Sequence, residues 1–353
     1  MKNRTWMISF LVGVLMSNAA VVPAQAATKS VPATDAATVK RIKQTLADEH
    51  VNGVVVVNGQ HNQPEVIMNT VAGAQGNHKL TGNSLFPIAS LNKSFTGIGI
   101  QRLLNQGKLK RDAKLAKFFP QTPNAANITV DQLSKHTSDL QDIAQDSPKI
   151  MKSDRQRLNF AQHNVTATGK YTWTYTNANY ALLAGILSRL THESYEDWVQ
   201  TNIIKRAHLT HTKHYDEVNA NQIAWGMNAD NGPTTLDKLQ KTMTVMYGAG
   251  DYFVSAADYW KYVTAFNAGK LVKLDTVTKQ INPNGSEFQY IDGFYFSPTG
   301  KYCAYGSYSN VFNSAVFSNY HTKQSLVMYT NNIPYLQSKD LANRLAAIYY
   351  HEQ

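Results

Sequence analysis

Residues 85–96 read LFPIASLNKSFT, and the interpretation of the whole chain starts from this stretch. Helical spacing predicts a helix over residues 90–106, directly after the apolar segment 86–88. Ser90 and Lys93 lie three residues apart, so they share one face of that helix and can contact each other. A lysine desolvated at the buried start of a helix has a lowered pKa and can accept the serine proton. The stretch therefore predicts a serine nucleophile with a lysine base; the alternative is a helix-capping serine beside a lysine that extends to solvent.

Outward from this helix, strand patterns lie near both ends of the chain and helical patterns fill the middle. Helical spacing over residues 35–50 is followed by strand-like runs at 51–58 and 65–71. Residues 290–331 return to strand-like patterning, and residues 334–350 are helical again. Further helices are predicted at 130–135, 179–190, 195–204 and 256–268. Strands from distant parts of the chain must share one sheet, so we expect an α/β fold with a helical insertion.

The composition is that of a globular protein with a substantial core. The chain has 353 residues, of which 43% are hydrophobic and 16% are charged. These values exclude a coiled-coil rod and a disordered tail protein. The single cysteine, Cys303, excludes a disulfide scaffold. It lies in a strand-like run at 302–311, so we expect a packed side chain there rather than a thiol nucleophile.

Residues 1–26 have the features of a secretory signal peptide. Lys2 and Arg4 precede an apolar run at 6–22, and a small-residue pattern ends at Ala26. Cleavage after Ala26 removes two basic residues and no acidic one, which lowers the formal net charge from +10 to +8. An uncleaved membrane anchor is the alternative, although the run is shorter than the roughly 20 residues that span a bilayer. We therefore expect a secreted or cell-surface bacterial protein, in contact with the membrane only through this segment if it is uncleaved.

Several motifs around the Ser-Lys pair resemble class C β-lactamases and penicillin-binding-protein-like serine hydrolases. Residues 85–96, the segment LNQGKLKRD at 104–112, and residues 128–138, which end in LSKHTS, have the composition and spacing typical of that family. Asp139 stands where the family usually has glycine. In the segment GAGD at 248–251 the family usually has GAGG.

This resemblance implies the β-lactamase/transpeptidase-like fold, an α/β fold in which an antiparallel sheet from both chain ends is flanked by helices. It implies one hydrolase domain over residues 27–353. Within that domain the α/β part covers about residues 35–110 and 246–353, and a helical insertion covers about residues 111–245.

A second family motif, Tyr-x-Asn, is matched by Tyr175 and Asn177. Two other Tyr-x-Asn triplets begin at Tyr308 and Tyr329, and position along the chain selects Tyr175. A phenol beside a buried ammonium is expected to be partly phenolate and to act as a base for Ser90. The resemblance implies that Asn177 holds the lysine ammonium or a substrate amide; a core tyrosine and a turn asparagine are the alternative.

The third family motif is altered. The family usually has His or Lys, one variable residue and glycine on the strand beside the nucleophile. Tyr305 and Ser307 stand at the first and third positions, and Val311 replaces a later glycine. Since the missing cation normally binds a substrate carboxylate, we expect substrates with a free carboxylate to bind less well. The main-chain N–H groups of Tyr308 and Ser90 are expected to form the oxyanion hole.

Other signals in the sequence are weaker. His208, His211 and His214 are too widely spaced to share one helix face, so we interpret them as a solvated loop rather than a metal site. No glycine-rich phosphate loop or zinc pattern occurs, and no metal or cofactor is expected. The basic residues are spread along the chain without interleaved aromatic residues, so nucleic-acid binding is not expected.

Together these features predict an exported serine hydrolase that forms an acyl-enzyme on cell-envelope substrates. The resemblance implies D-alanyl chemistry, with peptidoglycan or teichoic acid as partners. The altered third motif favours a D-alanyl esterase over a D-Ala-D-Ala carboxypeptidase. A wall-polymer-binding protein that has lost turnover and a β-lactamase are the alternatives. The sequence contains no indication of an oligomeric state.

Overall fold

The computed structural model describes residues 31–71, 80–226, 235–285 and 287–352. The chain divides into two units at the Ser30–Val31 junction, and all the described residues belong to the second. The signal peptide expected over residues 1–26 lies outside the described residues. Every helix in the described ranges is too short or too polar to span a bilayer.

Helices and strands are numbered in chain order. The helices are α1 Ala36–Asp48, α2 Lys93–Asn105, α3 Val130–Ser134, α4 Asp154–His163, α5 Asn177–Thr191, α6 Tyr195–Val199, α7 Leu236–Met243, α8 Ala256–Asn267, α9 Leu274–Thr278 and α10 Tyr335–Tyr350. The strands are β1 Gly53–Asn58, β2 Pro64–Asn69, β3 Leu85–Pro87, β4 Leu140–Asp142, β5 Val165–Ala167, β6 Thr212–His214, β7 Tyr252–Ser255, β8 Gln289–Ile291, β9 Phe294–Phe296, β10 Lys301–Tyr308, β11 Phe312–Asn319 and β12 Ser325–Thr330.

The main sheet joins the two ends of the chain. Its seven strands lie in the order β2-β1-β12-β11-β10-β9-β8, and every neighbouring pair is antiparallel. Val54 of β1 is paired with Met68 on one side and with Tyr329 on the other. The sheet predicted from the sequence, built from both chain ends, is therefore confirmed.

Alternation along the strands explains why both faces of this sheet are covered. Val54 and Val56 belong to the larger core, which also contains α2, α5 and α8, whereas Val55 and Val57 belong to a second core beneath α1 and α10. Successive side chains of a strand point to opposite faces, so a run of valines supplies both cores. Each fully buried valine contributes about 1.5–3 kcal/mol relative to an exposed one.

A small three-stranded sheet, in the order β3-β7-β6, links the main sheet to the helical part. In it, Phe86 of β3 is paired with Val254 of β7. These strands have only three or four residues each, so the sequence analysis did not identify β6 or β7 as strands. The pairing fixes β3 immediately before the serine motif, and therefore positions the start of α2.

Two expectations for single residues were tested by the fold. Cys303 is buried in β10, where burial raises the pKa of its thiol to about 12, and this confirms a packed side chain. The solvated loop expected for the three histidines is wrong for His214, which is buried in β6. His208 is exposed, as expected.

Candidate active site

Ser90 lies on a tight turn at the entrance to α2. Residues Ala89–Asn92 form a short 3-10 helix, and α2 itself begins at Lys93 rather than at Ser90. Ala89 has a φ of +48°, a left-handed conformation that residues with a Cβ rarely adopt. Backbone strain of this kind is common at functional sites, although other non-glycine residues of this chain, such as His50 and Lys323, also have a positive φ. The turn leaves Ser90 half-buried on the wall of a cavity.

Lys93 is fully buried, with 0% of its surface exposed, and its amine has three acceptors around it. Its Nζ lies 3.1 Å from Ser90 Oγ and 2.7 Å from Asn177 Oδ1. The third acceptor is the carbonyl oxygen of Ala249, at 3.1 Å. The structure therefore brings together the serine, lysine and asparagine that the sequence analysis selected.

The charge of Lys93 depends on its burial and on two carboxylates. Burial lowers the pKa of Lys93 to about 7, although the negative charges of Asp142 and Asp251 oppose this shift. With a pKa in this range, the neutral form of the lysine is populated near neutral pH. Only the neutral amine has a free electron pair, so this environment supports Lys93 as the base for Ser90.

Asp142 holds the start of helix α5, where Asn177 is the first residue. Its carboxylate accepts hydrogen bonds from the main-chain N–H groups of Asn177, at 2.8 Å, and Ala178, at 3.0 Å. A carboxylate in this position satisfies otherwise unpaired N–H groups and interacts favourably with the helix dipole. Asn177 Nδ2 donates to Gln145 Oε1 at 3.3 Å, which orients the amide so that its oxygen faces Lys93.

Tyr175 lies beside Lys93, whose Nζ is 4.9 Å from the tyrosine ring centroid. The ring also packs against the buried His136, at 4.3 Å between centroids. Although 38% of Tyr175 is exposed, its phenol faces Ser90 inside the site. Burial raises the pKa of Tyr175, and the Ser90 hydroxyl only partly opposes this rise. The partial phenolate expected from the sequence is therefore wrong, and Tyr175 is a neutral phenol.

Asp139, which replaces a family glycine, anchors the loop that leads to Tyr175. It has a φ of +77°, the left-handed conformation that favours glycine. Its carboxylate accepts hydrogen bonds from the main-chain N–H groups of Thr168, Gly169 and Lys170, at 2.8–2.9 Å. Although burial opposes it, these hydrogen bonds lower the pKa of Asp139. The departure from the family pattern thus supplies an anchor that glycine lacks.

At Gly306, strand β10 passes very close to the turn that carries Ser90. A Cβ on Gly306 would lie 2.4 Å from the carbonyl oxygen of Ile88 and 2.6 Å from Ser314 Oγ, so a larger residue does not fit. The side chain of the next residue, Ser307, donates a hydrogen bond to Asn313 Oδ1 at 2.7 Å.

The two tyrosines of the altered third motif have different positions. Tyr305 lines the cavity, and its hydroxyl donates to Asn343 Oδ1 at 2.9 Å. Tyr308 is buried, and its hydroxyl donates to the carbonyl oxygen of Gly250. The Tyr308 hydroxyl is therefore not free to bind a substrate. The main-chain N–H of Tyr308 is the group that the sequence analysis assigned to the oxyanion hole.

Two cavities meet at Ser90, Tyr175 and Ser307. The larger has a volume of about 570 Å³. Its aromatic walls include Trp173, Tyr290, Tyr295, Tyr305, Phe317 and Tyr335. The smaller, of about 270 Å³, is bordered by the polar side chains of Asp142, Gln145 and Asn177. A substrate whose carbonyl carbon lies at Ser90 can therefore extend into both cavities.

A buried charge network lies next to the turn before β7, whose Ala249 carbonyl oxygen binds Lys93. Arg157 of α4 is 4% exposed and Asp251 is 0% exposed, and Arg157 Nη1 is 3.4 Å from Asp251 Oδ2. The same guanidinium donates to Asp154 at 2.6 Å, and its Nη1 lies 2.8 Å from His214 Nε2. The Asp251 carboxylate can be buried because it is paired with the Arg157 guanidinium.

One group of side chains in the described part of the chain has the composition of a metal site. Ligand atoms of Glu196, His214 and Asp216 lie within 4.8 Å of one another. However, His214 Nδ1 lies 2.6 Å from Asp216 Oδ1, and the other ring nitrogen lies 2.8 Å from Arg157 Nη1. Both nitrogens are therefore engaged within the protein, and ion pairing accounts for the group.

Sequence reasoning did not identify Asp142, Asp251 or Lys339 as parts of the site. Asp142 follows the HTS motif by only a few residues, but nothing in that spacing indicates that it meets Asn177, 35 residues later. Asp251 was noticed only as a departure from a glycine pattern. Lys339, which lines the larger cavity, comes from a helix remote from every motif.

The architecture is the β-lactamase/transpeptidase-like fold. A crystal structure of D-amino acid amidase from Ochrobactrum anthropi SV3, complexed with L-phenylalanine amide, has a TM-score of 0.73 to this chain at 20% identity. The similarity covers 88% of this chain and 97% of the amidase. Residues 39–351 match the Beta-lactamase family, and the chain belongs to that family. The family lies within a superfamily of serine acyl-hydrolases.

Two bacterial proteins are similar to this chain over about 70% of its length. A protein of Bacillus subtilis (strain 168), named as penicillin-binding protein PbpX, is 30% identical over 252 residues, or 70% of this chain. Teichoic acid D-alanine hydrolase of Staphylococcus aureus is 26% identical over 259 residues, or 72% of this chain. The matched regions cover 61% and 64% of those two proteins, less than two thirds of each.

Proposed function

We propose that the protein is an exported serine acyl-hydrolase that removes D-alanine from its ester on teichoic acid. The observation that carries the proposal is the buried Lys93, with a pKa of about 7, placed 3.1 Å from Ser90 Oγ. The relative named teichoic acid D-alanine hydrolase supports the choice of substrate. The proposal treats residues 27–353 as one hydrolase domain, secreted or held at the cell surface after removal of residues 1–26.

Acylation begins with proton transfer from Ser90 to neutral Lys93. Ser90 Oγ attacks the carbonyl carbon of the D-alanyl ester, and the carbonyl oxygen becomes an oxyanion. We infer that the main-chain N–H groups of Ser90 and Tyr308 stabilise this oxyanion. The ester C–O bond then breaks, and the proton passes from the Lys93 ammonium through the Tyr175 phenol to the departing alcohol oxygen.

Deacylation repeats this sequence with water as the nucleophile. Lys93, again neutral, accepts a proton from water through Tyr175 while the water oxygen attacks the acyl carbon. The Ser90 C–O bond breaks, Ser90 regains its proton, and free D-alanine leaves. Asn177 holds the Lys93 amine in both steps, because its amide oxygen is 2.7 Å from Nζ.

An ester is a better fit than a peptide for this set of residues. An alkoxide leaving group is less basic than an amine anion, so its departure requires less assistance. The third motif has Tyr305 in place of the expected basic residue, so position 305 of β10 itself offers no cation to a peptide carboxylate. Hydrolysis of D-Ala-D-Ala peptides is the alternative within the same mechanism.

The decisive experiment is release of D-alanine from D-alanylated teichoic acid by purified residues 27–353. We expect Ser90→Ala to lower kcat/KM by more than about 10³-fold, because the nucleophile is lost. Ser188→Ala, a half-buried serine near the far end of α5, is the matched control and is expected to retain activity. Intact-mass analysis should detect a D-alanyl adduct on the wild type but not on Ser90→Ala.

The alternatives give different results in the same assay. Release by Ser90→Ala at the wild-type rate would disprove the mechanism. Binding of teichoic acid without turnover or adduct would identify a wall-polymer-binding protein. Ser90-dependent hydrolysis of a D-Ala-D-Ala peptide or of a β-lactam, without ester hydrolysis, would assign the enzyme to those substrates.

A further inference from the structure

A single charged side chain, Lys339 of α10, lines the larger cavity among the residues that the structure describes. It is exposed to solvent at the cavity wall. No described carboxylate lies within 4.0 Å of its Nζ, so Lys339 has no ion-pair partner in the described part of the protein. Ser90 lines the same cavity. An unpaired cation therefore shares a cavity with the nucleophile.

The position of Lys339 is set by Tyr305. Lys339 Nζ lies 5.0 Å from the Tyr305 ring centroid, within the range of a cation–π contact. The Tyr305 hydroxyl donates to Asn343, one turn further along α10, and the ring makes an edge-to-face contact with Phe317 at 5.7 Å between centroids. Tyr305, which stands where the family has a basic residue, thus acts as a platform for the Lys339 ammonium from α10.

Helix α10 holds this platform firmly against the main sheet. Leu341 and Leu345 are fully buried in the core beneath the sheet, whereas Lys339 and Asn343 are exposed. Residues four apart share a helix face, so Lys339 and Asn343 are presented together. The cation is therefore carried by a rigid element, and only its flexible side chain needs to move to meet a ligand.

The two cavities that meet at Ser90 have opposite charge. The smaller contains the Asp142 carboxylate and no described cation, and the larger contains Lys339 and no described carboxylate. A substrate with an ammonium group on its acyl side and an anion on its alcohol side matches this arrangement. A D-aminoacyl ester of a polyol phosphate has these two charges.

We propose that Lys339 binds an anionic group on the leaving portion of the substrate. This inference rests on the proposed function and revises one expectation from the sequence. Tyr305 does not leave the site without a cation, because α10 supplies one beside it. The shared chemistry is a phosphate or a carboxylate; the phosphodiester of teichoic acid and the terminal carboxylate of a peptide are its two sources.

The test compares charged and neutral ligands in variants of Lys339. In a Ser90→Ala background, which prevents turnover, calorimetry would measure binding of D-alanyl glycerol phosphate and of uncharged D-alanyl glycerol. We expect Lys339→Gln to weaken binding of the phosphate ester by about 3- to 10-fold and to leave the neutral ester unchanged. Lys339→Arg should restore most of the affinity. The difference should diminish at high ionic strength.

A matched control and a second ligand pair complete the test. Lys279→Gln removes an exposed lysine that pairs with Asp275, outside the cavity, and should change nothing. A D-Ala-D-Ala peptide and its C-terminal amide form the second pair. Selective weakening for the peptide alone would identify a carboxylate subsite, and weakening for the phosphate ester alone would identify a phosphate subsite.

Two results would overturn the inference. In the first, Lys339→Gln weakens the binding of charged and neutral ligands equally, which indicates a structural role for Lys339. In the second, Lys339→Gln weakens the binding of neither charged ligand. With Ser90 intact, Lys339→Gln should raise KM for the phosphate ester and leave kcat within about twofold. If the protein with Lys339 intact shows no turnover that depends on Ser90, the proposed function is wrong. That result does not depend on the measurements of ligand affinity.

Discussion

Lys93 has an environment in which two opposing effects are nearly balanced. Complete burial disfavours its ammonium form, while Asp142 and Asp251 favour it. The outcome is a pKa of about 7 instead of 10.5. Burial changes the pKa of Lys93 more than the two carboxylates do, so the side chain can act as a base near neutral pH.

The first prediction at this scale concerns pH. Below the pKa of about 7 the lysine is protonated, so kcat/KM for D-alanyl ester hydrolysis should fall by about tenfold per pH unit, and above it should reach a plateau. Asp142→Asn removes a charge that raises this pKa, so the acid limb should move to lower pH. The measurement is a pH–rate profile corrected for spontaneous ester hydrolysis.

Asp275→Asn provides the control for this prediction. Asp275 is an exposed carboxylate paired with Lys279, so its loss should leave the profile in place. A limb that does not move in Asp142→Asn would mean that Lys93 is not the group whose ionisation controls the reaction.

At the scale of elements, the site depends on how closely β10 approaches the turn before α2. The approach occurs at Gly306, where a Cβ would lie 2.4 Å from the carbonyl oxygen of Ile88. The neighbouring main-chain atoms belong to Ser90, whose nitrogen would lie 3.1 Å from the same Cβ. A side chain at position 306 must therefore push β10 away from the turn that carries Ser90.

We therefore expect Gly306→Ala to lower kcat/KM by about a hundredfold, because a displacement of the order of 1 Å misplaces the reacting groups. It should also destabilise the protein by about 1–3 kcal/mol through overpacking. Gly185→Ala on α5 is the matched control, because its Cβ meets the flexible ends of Leu158 and Phe119 instead of backbone. Ester hydrolysis and urea unfolding measure the two effects.

The control should lose stability without losing activity. If Gly306→Ala kept full activity while Gly185→Ala lost it, the contact between β10 and the nucleophile turn would have no catalytic importance.

At the scale of the whole molecule, one buried ion pair joins the helical part to the strands near the site. Arg157 comes from α4, and Asp251 directly precedes β7. Both are almost completely buried, and His214 of β6 contacts the same guanidinium. Such a pair contributes little net stability compared with apolar packing, but breaking it is costly.

Arg157→Met should lower the free energy of unfolding by about 3–5 kcal/mol, because it removes the arginine that pairs with the buried Asp251 carboxylate. The double variant with Asp251→Asn should recover part of that loss, since the buried charge is removed. Urea denaturation of both single variants and the double variant forms the required cycle. Lys279→Met, which breaks an exposed pair, should change stability by less than about 1 kcal/mol. Additive losses from Arg157→Met and Asp251→Asn would contradict the coupling.

Much of the fold was predictable because it depends on short-range patterns. The run of valines in β1 and the helical spacing of α1 and α10 repeat over a few residues, and each period specifies one element. Ser90 and Lys93 were predictable for the same reason, since three residues on a helix are a local distance. Short strands such as β6 escaped detection because three residues are too few to establish a period.

The sequence by itself determined the classes of element, the sheet shared by the two chain ends, and the choice of Ser90, Lys93, Tyr175 and Asn177 as the candidate residues that the structure brings together. Only the tertiary structure decided their chemical states. The pKa of Lys93, the neutral phenol of Tyr175 and the unpaired charge of Lys339 depend on burial and on groups distant in the chain, such as Asn177, 84 residues from Lys93. The electrostatic free energy of a side chain depends on its three-dimensional surroundings, and periodicity along the chain carries no information about them.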